Sequence, residues 1–293
     1  MFRKGVFVLI HKKWVAFAAV ILLLTACGEQ NTTSIMDEKE STEKQQVSKE
    51  EQETDIAEKE NEVKEEAAVQ EETEEEPQKV AVAEPQYRIN PANWSAQPIA
   101  DASEKVVLVT IDDAPDKHAM EMAETLKSQN VPAIFFVNGH FLDTDEEKQQ
   151  LKKLHEMGFA IGNHTNSHPN LRDLTEQQQA DEILQLNETI EQIIGEKPEF
   201  FRAPHGANTD FSKQLVQDQG MVLMNWTYGY DWEQQYRDAQ SLTDIMLNTE
   251  FLNNGANLLM HDREWTSEAL PDIIQGLKDK GYSFVDPESI EGI

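Results

Sequence analysis

From about residue 100 onward the chain alternates short apolar runs rich in β-branched residues with amphipathic stretches, and that alternation constrains the fold more than any other feature. "KVVLVTI" suits a buried strand, and "DKHAMEMAETLKSQN" repeats its apolar positions at helical spacing. "VPAIFFVNG", "FAIGNHT", "EFFRAPHG", "MVLMNWTY", "ANLLMHD" and "YSFV" read as six further strands, each separated from the next by a helical stretch. The longest of these helices is expected to open with the capping pattern Thr175 to Gln178 and to stop at Gly195. Strands that alternate with helices need right-handed crossovers and so form a parallel sheet. No Gly-rich dinucleotide fingerprint follows the first strand, so a barrel is expected rather than a doubly wound nucleotide-binding sheet.

Residues 28–84 contain almost no aromatic or large aliphatic side chains and cannot form a core. Arg3, Lys4, Lys12 and Lys13 flank the apolar run "WVAFAAVILLLTAC", the grammar of a secretion signal. The run from Trp14 to Ala26 is shorter than the roughly 20 apolar residues of a membrane span. It ends in small residues before Cys27, which resembles a bacterial lipobox. Cys27 is the only cysteine, so it has no internal disulfide partner and is free to carry lipid. The acidic, low-complexity tract that follows lacks the large apolar side chains a core needs, and a disordered tether is expected. The expected organisation is therefore a signal peptide over 1–26, a lipid-anchored acidic linker over 27–99 and a folded domain over 100–293. The chain would then sit outside the membrane of a bacterium, with a long tether suited to the thick wall of a Gram-positive envelope. A formal net charge of −30 argues against nucleic acid and against polyanions as partners.

Titratable residues gather at the ends of the expected strands, the face on which parallel barrels build their sites. Asp112 and Asp113 follow the first strand, His164 and His168 the third, Arg202 and His205 the fourth, Asp231 and Trp232 the fifth, and His261 the sixth. Two histidines four apart are either a pair of metal ligands on one side of a helical turn or two polar residues sharing a surface turn. With Asp113 as a carboxylate partner they form a set that leaves coordination positions open, as catalytic metal sites do. Trp232 and Leu259 read equally well as core residues.

"TIDDAP", "HTNSH", "RAPHG", "YDW" and "LLMHD" occur in the order of the five motifs of the polysaccharide deacetylase family, the NodB-homology group of carbohydrate esterase family 4, and the chain resembles it over about residues 103 to 286. The resemblance implies a distorted (β/α)7 barrel that hydrolyses acetyl groups on an N-acetylated glycan with a divalent metal, usually zinc, with cobalt or nickel as alternatives. It implies Asp112 as general base, Arg202 as its holder, and Asp113, His164 and His168 as metal ligands. It also implies His261 as general acid with Asp231 tuning it, Trp232 and Leu259 lining the acetyl pocket, and the backbone N–H of His205 facing the oxyanion.

The chain departs from the family in three places, with Ile111 and Ala114 where Phe and Gly are usual and His205 where Tyr is common. If position 114 needs a positive φ, its alanine costs on the order of 1 kcal/mol. An O-acetyl esterase on the same scaffold, or a glycan-binding lipoprotein without turnover, are the alternative functions.

Overall fold

A computed structural model describes residues 84–293. Cys27, the segment 1–26 and most of the linker 27–99 lie outside the described residues. The elements run β1 (Tyr87–Ile89), β2 (Ala96–Pro98), β3 (Val106–Ala114), α1 (Ala119–Ser128), β4 (Ile134–Val137), α2 (Asp145–Glu156), β5 (Ala160–Asn163) and α3 (Glu176–Ile194). They continue with β6 (Phe200–Phe201), α4 (Asp210–Asp218), β7 (Val222–Leu223), α5 (Ala239–Asn248), β8 (Ala256–His261), α6 (Glu264–Asp279) and β9 (Ser283–Phe284).

The seven strands from β3 to β9 form one parallel sheet in the order β7-β6-β5-β4-β3-β8, with β9 also paired to β3. The sheet curls, and a single parallel bridge between Tyr228 and Leu258 joins the segment after β7 to β8. This is the distorted (β/α)7 barrel expected from the sequence. Three of its strands, β6, β7 and β9, are two residues long, shorter than their apolar runs suggest. Only Val222 and Leu223 of "MVLMNWTY" make regular pairs, because the chain then bends inward toward β8.

Strand alternation decides what faces where. On β3, Val107, Val109 and Ile111 pack with residues of α1, α2, α5 and α6 in one large cluster. Val106 and Leu108 point the other way, into a second cluster with Ile134, Phe136, Phe200 and Met224. All nine residues of β3 are buried, so it is the central staple of the sheet.

Three of the helices, α2, α3 and α4, begin at a threonine cap. Thr144, Thr175 and Thr209 each close a reciprocal capping box, and α3 ends at Gly195 with φ 87°. The boundary expected between residues 99 and 100 needs correction. The antiparallel hairpin β1–β2 precedes it and is tied to the barrel through Ala96 N–H to Gly255 O at 2.8 Å and Glu291 N–H to Tyr87 O at 2.7 Å. Its apolar anchors Tyr87 and Ala96 are buried in the second cluster.

Candidate active site

Alternation places Asp112 on the same face of β3 as Leu108 and Thr110, the interior face. On a regular strand Asp113 would then point away among the helices. The β3–β4 register shifts between Ile111 and Ala114, and Asp113 takes φ 60°. This bulge brings both carboxylates to one side. The positive φ falls at Asp113 and not at Ala114, so the cost weighed for an alanine at position 114 does not arise. Asp113, Thr165, His168 and His205 all have φ between 58° and 69°. Each such residue costs about 1–3 kcal/mol and persists only where its surroundings hold it. Three of these four, Asp113, His168 and His205, line the cleft.

Arg202 is wholly buried behind Asp112. Its Nη1 donates to Asp112 Oδ1 at 2.6 Å and to Thr110 Oγ1 at 2.8 Å, while Nη2 donates to the carbonyl of Asn225 at 2.8 Å. The ring of Phe136 covers the guanidinium at 4.2 Å. A buried guanidinium with a paired carboxylate is costly to disrupt, since removing one partner strands the other charge.

His164 and His168 meet Asp113 through a loop, not a helical turn: positive φ at Thr165 and His168 folds the chain back. Asn163 Oδ1 accepts the Thr165 N–H at 2.8 Å, and Asn138 Nδ2 donates to His164 O at 2.6 Å, pinning the loop from two strands. His168 Nε2 lies 3.4 Å and His164 Nε2 3.9 Å from Asp113 Oδ1, and the three donor atoms fall within 4.8 Å of one another. His164 Nδ1 is 2.7 Å from the carbonyl of Arg202. A carbonyl can only accept, so Nδ1 carries the proton and the Nε2 lone pair is left for a cation.

Burial pushes the His164 pKa down, and burial with the neighbouring His164 takes His168 to about 4. Burial raises the Asp113 pKa, but His261, His164, His168 and Arg263 outweigh it and the net shift is downward. Two neutral imidazoles and an ionised carboxylate are the protonation states a divalent metal requires. The donor set fits zinc, cobalt or nickel.

Across the cleft, β8 pairs with β3 in a register that sets His261 directly beside Asp112. His261 Nδ1 donates to Asp231 Oδ1 at 2.7 Å, and its backbone N–H donates to Asp231 Oδ2 at 2.6 Å. Thr266 Oγ1 also donates to Asp231 Oδ2 at 2.8 Å, and Trp265 Nε1 donates to the Asp231 carbonyl at 2.8 Å. The ring is thereby oriented with Nε2 as its remaining nitrogen. Burial would lower the His261 pKa, but Asp231, with Asp112 and Asp113, reverses that and raises it.

Asp112, Asp113, His164, His168, His205, Asp231, Trp232, Leu259 and His261 all line one cleft of about 570 Å³. Trp232 is 41% exposed and meets His261 edge-on at 5.6 Å, whereas Leu259 is buried in the floor. The His205 ring lies 4.9 Å from that of His168. Sequence reasoning passed over Trp226, Arg237, Arg263 and Trp265, which share the cleft. Arg263 Nη2 donates to Asp113 Oδ2 at 2.6 Å. Its position directly after "LLMHD" was the available signal. Asp262, next to it, turns away and accepts the N–H groups of Asp116, His118 and Ala119 at 2.6, 2.6 and 3.0 Å, clamping the start of α1.

The sequence profile of the polysaccharide deacetylase family matches residues 100–253. The chain belongs to this family. A peptidoglycan-N-acetylglucosamine deacetylase of Bacillus cereus is 30% identical over 186 residues, covering 61% of this chain and 66% of the relative. A T48 deacetylase solved with substrate superposes with a TM-score of 0.58 at 31% identity, over 65% of this chain and 92% of that one. A structure from Bacillus anthracis, described as a pseudoenzyme of carbohydrate esterase family 4, aligns with a TM-score of 0.57 at 28% identity, over 63% of this chain and 64% of that one. The chain spans between 51% and 66% of the length of the first curated relatives it matches.

Proposed function

We propose that this family member removes acetyl groups from an N-acetylated glycan of the cell wall or a chitin-like N-acetylglucosamine polymer, using a divalent metal, zinc by preference. The observation that carries this reading is the pairing of Asp112 with Arg202 and of His261 with Asp231 on adjacent strands, in the cleft that also holds the Asp113, His164 and His168 donor set. Held by those three side chains, a divalent cation supplies Lewis acidity, polarising the acetyl carbonyl and lowering the pKa of water.

Asp112 is the acceptor for the proton of the attacking water, and Arg202 holds it in place. As the water oxygen bonds to the acetyl carbon, charge gathers on the former carbonyl oxygen, to which the His205 N–H donates. The C–N bond then breaks while His261 Nε2 delivers a proton to the departing nitrogen, and Asp231 stabilises the imidazolium beforehand. Acetate and a free amine leave. Trp232 and Leu259 form the apolar wall beside the acetyl methyl.

The test is acetate release from N-acetylated oligosaccharides by the full chain loaded with zinc or cobalt, compared with Asp112→Asn. Release that survives this substitution overturns the reading, as does failure to release acetate from any glycan. His261→Ala separates amide from ester cleavage: loss on N-acetyl substrates with retention on O-acetyl ones is expected, because without a proton donor nitrogen would have to leave as an amide anion, a far poorer leaving group than an alkoxide.

The segment 1–26 is proposed as a signal peptide, and Cys27 as the lipid attachment point that tethers the domain to the outer side of a bacterial membrane through the acidic linker. The charged-then-apolar run and the lone cysteine support this.

A further inference from the structure

Each carboxylate that lines the cleft already has a cationic or imidazole partner. Asp112 has Arg202 at 2.6 Å, Asp113 has Arg263 at 2.6 Å and Asp231 has His261 at 2.7 Å. One charged side chain is left over. Arg237 lines the same cleft and makes no ion pair among the described residues. Its Nη2 donates to the carbonyl of Trp232 at 2.9 Å, and its guanidinium lies 5.7 Å from the ring centre of Trp265. Arg237 is exposed, and these contacts place its guanidinium at the mouth without neutralising it. The nearby acids are engaged elsewhere: Asp238 caps α5 through Ser241, and Glu233 accepts from Gln235.

An unneutralised guanidinium is a conspicuous choice in a chain with a net charge of −30. The remaining surface acids do not cancel it at the cleft, since exposed charges are screened beyond about 8–10 Å at ordinary ionic strength. A planar guanidinium within cation–π reach of an aromatic ring is suited to grip a carboxylate through two parallel hydrogen bonds. Trp226 and Trp232 meet at 6.3 Å on the same wall and offer apolar faces to a sugar ring.

We infer that the cleft selects an N-acetylated sugar that also bears a carboxylate, with Arg237 as the partner of that carboxylate. This rests on the deacetylase reading and narrows its substrate class. It also qualifies the expectation drawn from net charge: a polyanion is repelled by the surface as a whole, but one carboxylate per sugar unit is received locally.

The test uses the full zinc-loaded chain with two substrates: an oligosaccharide whose acetamido sugar carries a lactyl ether carboxylate, and the same oligosaccharide after reduction of that carboxyl to an alcohol. The wild type should show a KM about 10-fold lower for the acid, the scale of one charge-assisted pair. Arg237→Gln should collapse that ratio toward one, chiefly through KM, and Arg237→Lys should restore part of it. Raised salt should narrow the ratio in the wild type. Equal KM values for the two substrates in the wild type overturn the inference, and so does a ratio that Arg237→Gln leaves intact. If neither substrate releases acetate, the deacetylase reading fails. Calorimetric titration of both oligosaccharides into the wild type and Arg237→Gln then decides the carboxylate preference by itself, through the same 10-fold ratio and its loss.

Discussion

Asp231 grips His261 at both the ring and the backbone, which makes the pH dependence of the reaction a property of this pair. A group whose pKa is raised keeps its proton to higher pH, so activity that needs protonated His261 should persist above the ordinary imidazole range and fall only on the alkaline side. Asp231→Asn removes the carboxylate and leaves burial, which acts in the opposite direction. The alkaline limb of the kcat profile should therefore move to lower pH, with kcat near pH 8 down about 10-fold or more.

The histidines of the proposed metal site are shifted in the other direction. With His168 held at about 4 and His164 pushed down by burial, protons do not compete for these nitrogens near neutrality. Zinc affinity, measured against a competing chelator, should be flat above about pH 6 and collapse as pH falls toward the His168 value. His168→Ala should weaken it by more than about 100-fold, since loss of an outer partner alone costs 10- to 100-fold.

At this scale the residues inside recognisable motifs were legible in the sequence. Arg237, Arg263, Trp226 and Trp265 were not, because they reach the cleft through loop and helix-start geometry that no spacing encodes. Nor was the positive φ of Asp113, which depends on a register shift against β4.

Gly162 shows how an element serves the site it does not touch. A Cβ there would lie 2.4 Å from the ring of Phe136, and that ring covers the Arg202 guanidinium. Gly162→Ala should cost about 1–3 kcal/mol in denaturant unfolding, the usual range for overpacking, and should lower kcat through a displaced Arg202. Asp262→Asn should release the start of α1, since an amide offers only one acceptor oxygen to three backbone N–H groups. A loss of about 1–3 kcal/mol is expected for the stranded donors, readable as faster amide exchange at residues 116 to 119.

The seven strands and their helices could be read from apolar periodicity, and the α3 cap and stop from Thr175, Gln178 and Gly195. The β1–β2 hairpin could not. Its three-residue strands carry no alternation of their own and are held by contacts to Gly255 and to residues 289–291. The histidine loop was misread as a helical turn for a related reason: a four-residue spacing does not distinguish a helix from a loop closed by side-chain bonds to Thr165 and His164.

For the molecule as a whole, the proposed tether predicts where the protein is found. Cys27→Ser should move the chain from the membrane fraction to the medium, with the mass difference of a diacylglycerol group lost, while acetate release per molecule stays the same. Among the described residues the cleft is lined without any part of the proposed tether, so release from the membrane should leave the chemistry intact. Strand β3 is the first strand of the sheet in chain order, yet it pairs with β8 and β9, the last two strands of that sheet, and contacts this far apart in sequence form slowly. A polypeptide stalled or cut before residue 256 carries both aspartates and both histidines but no proton donor beside them. Such a fragment lacks His261 and is expected to release no acetate.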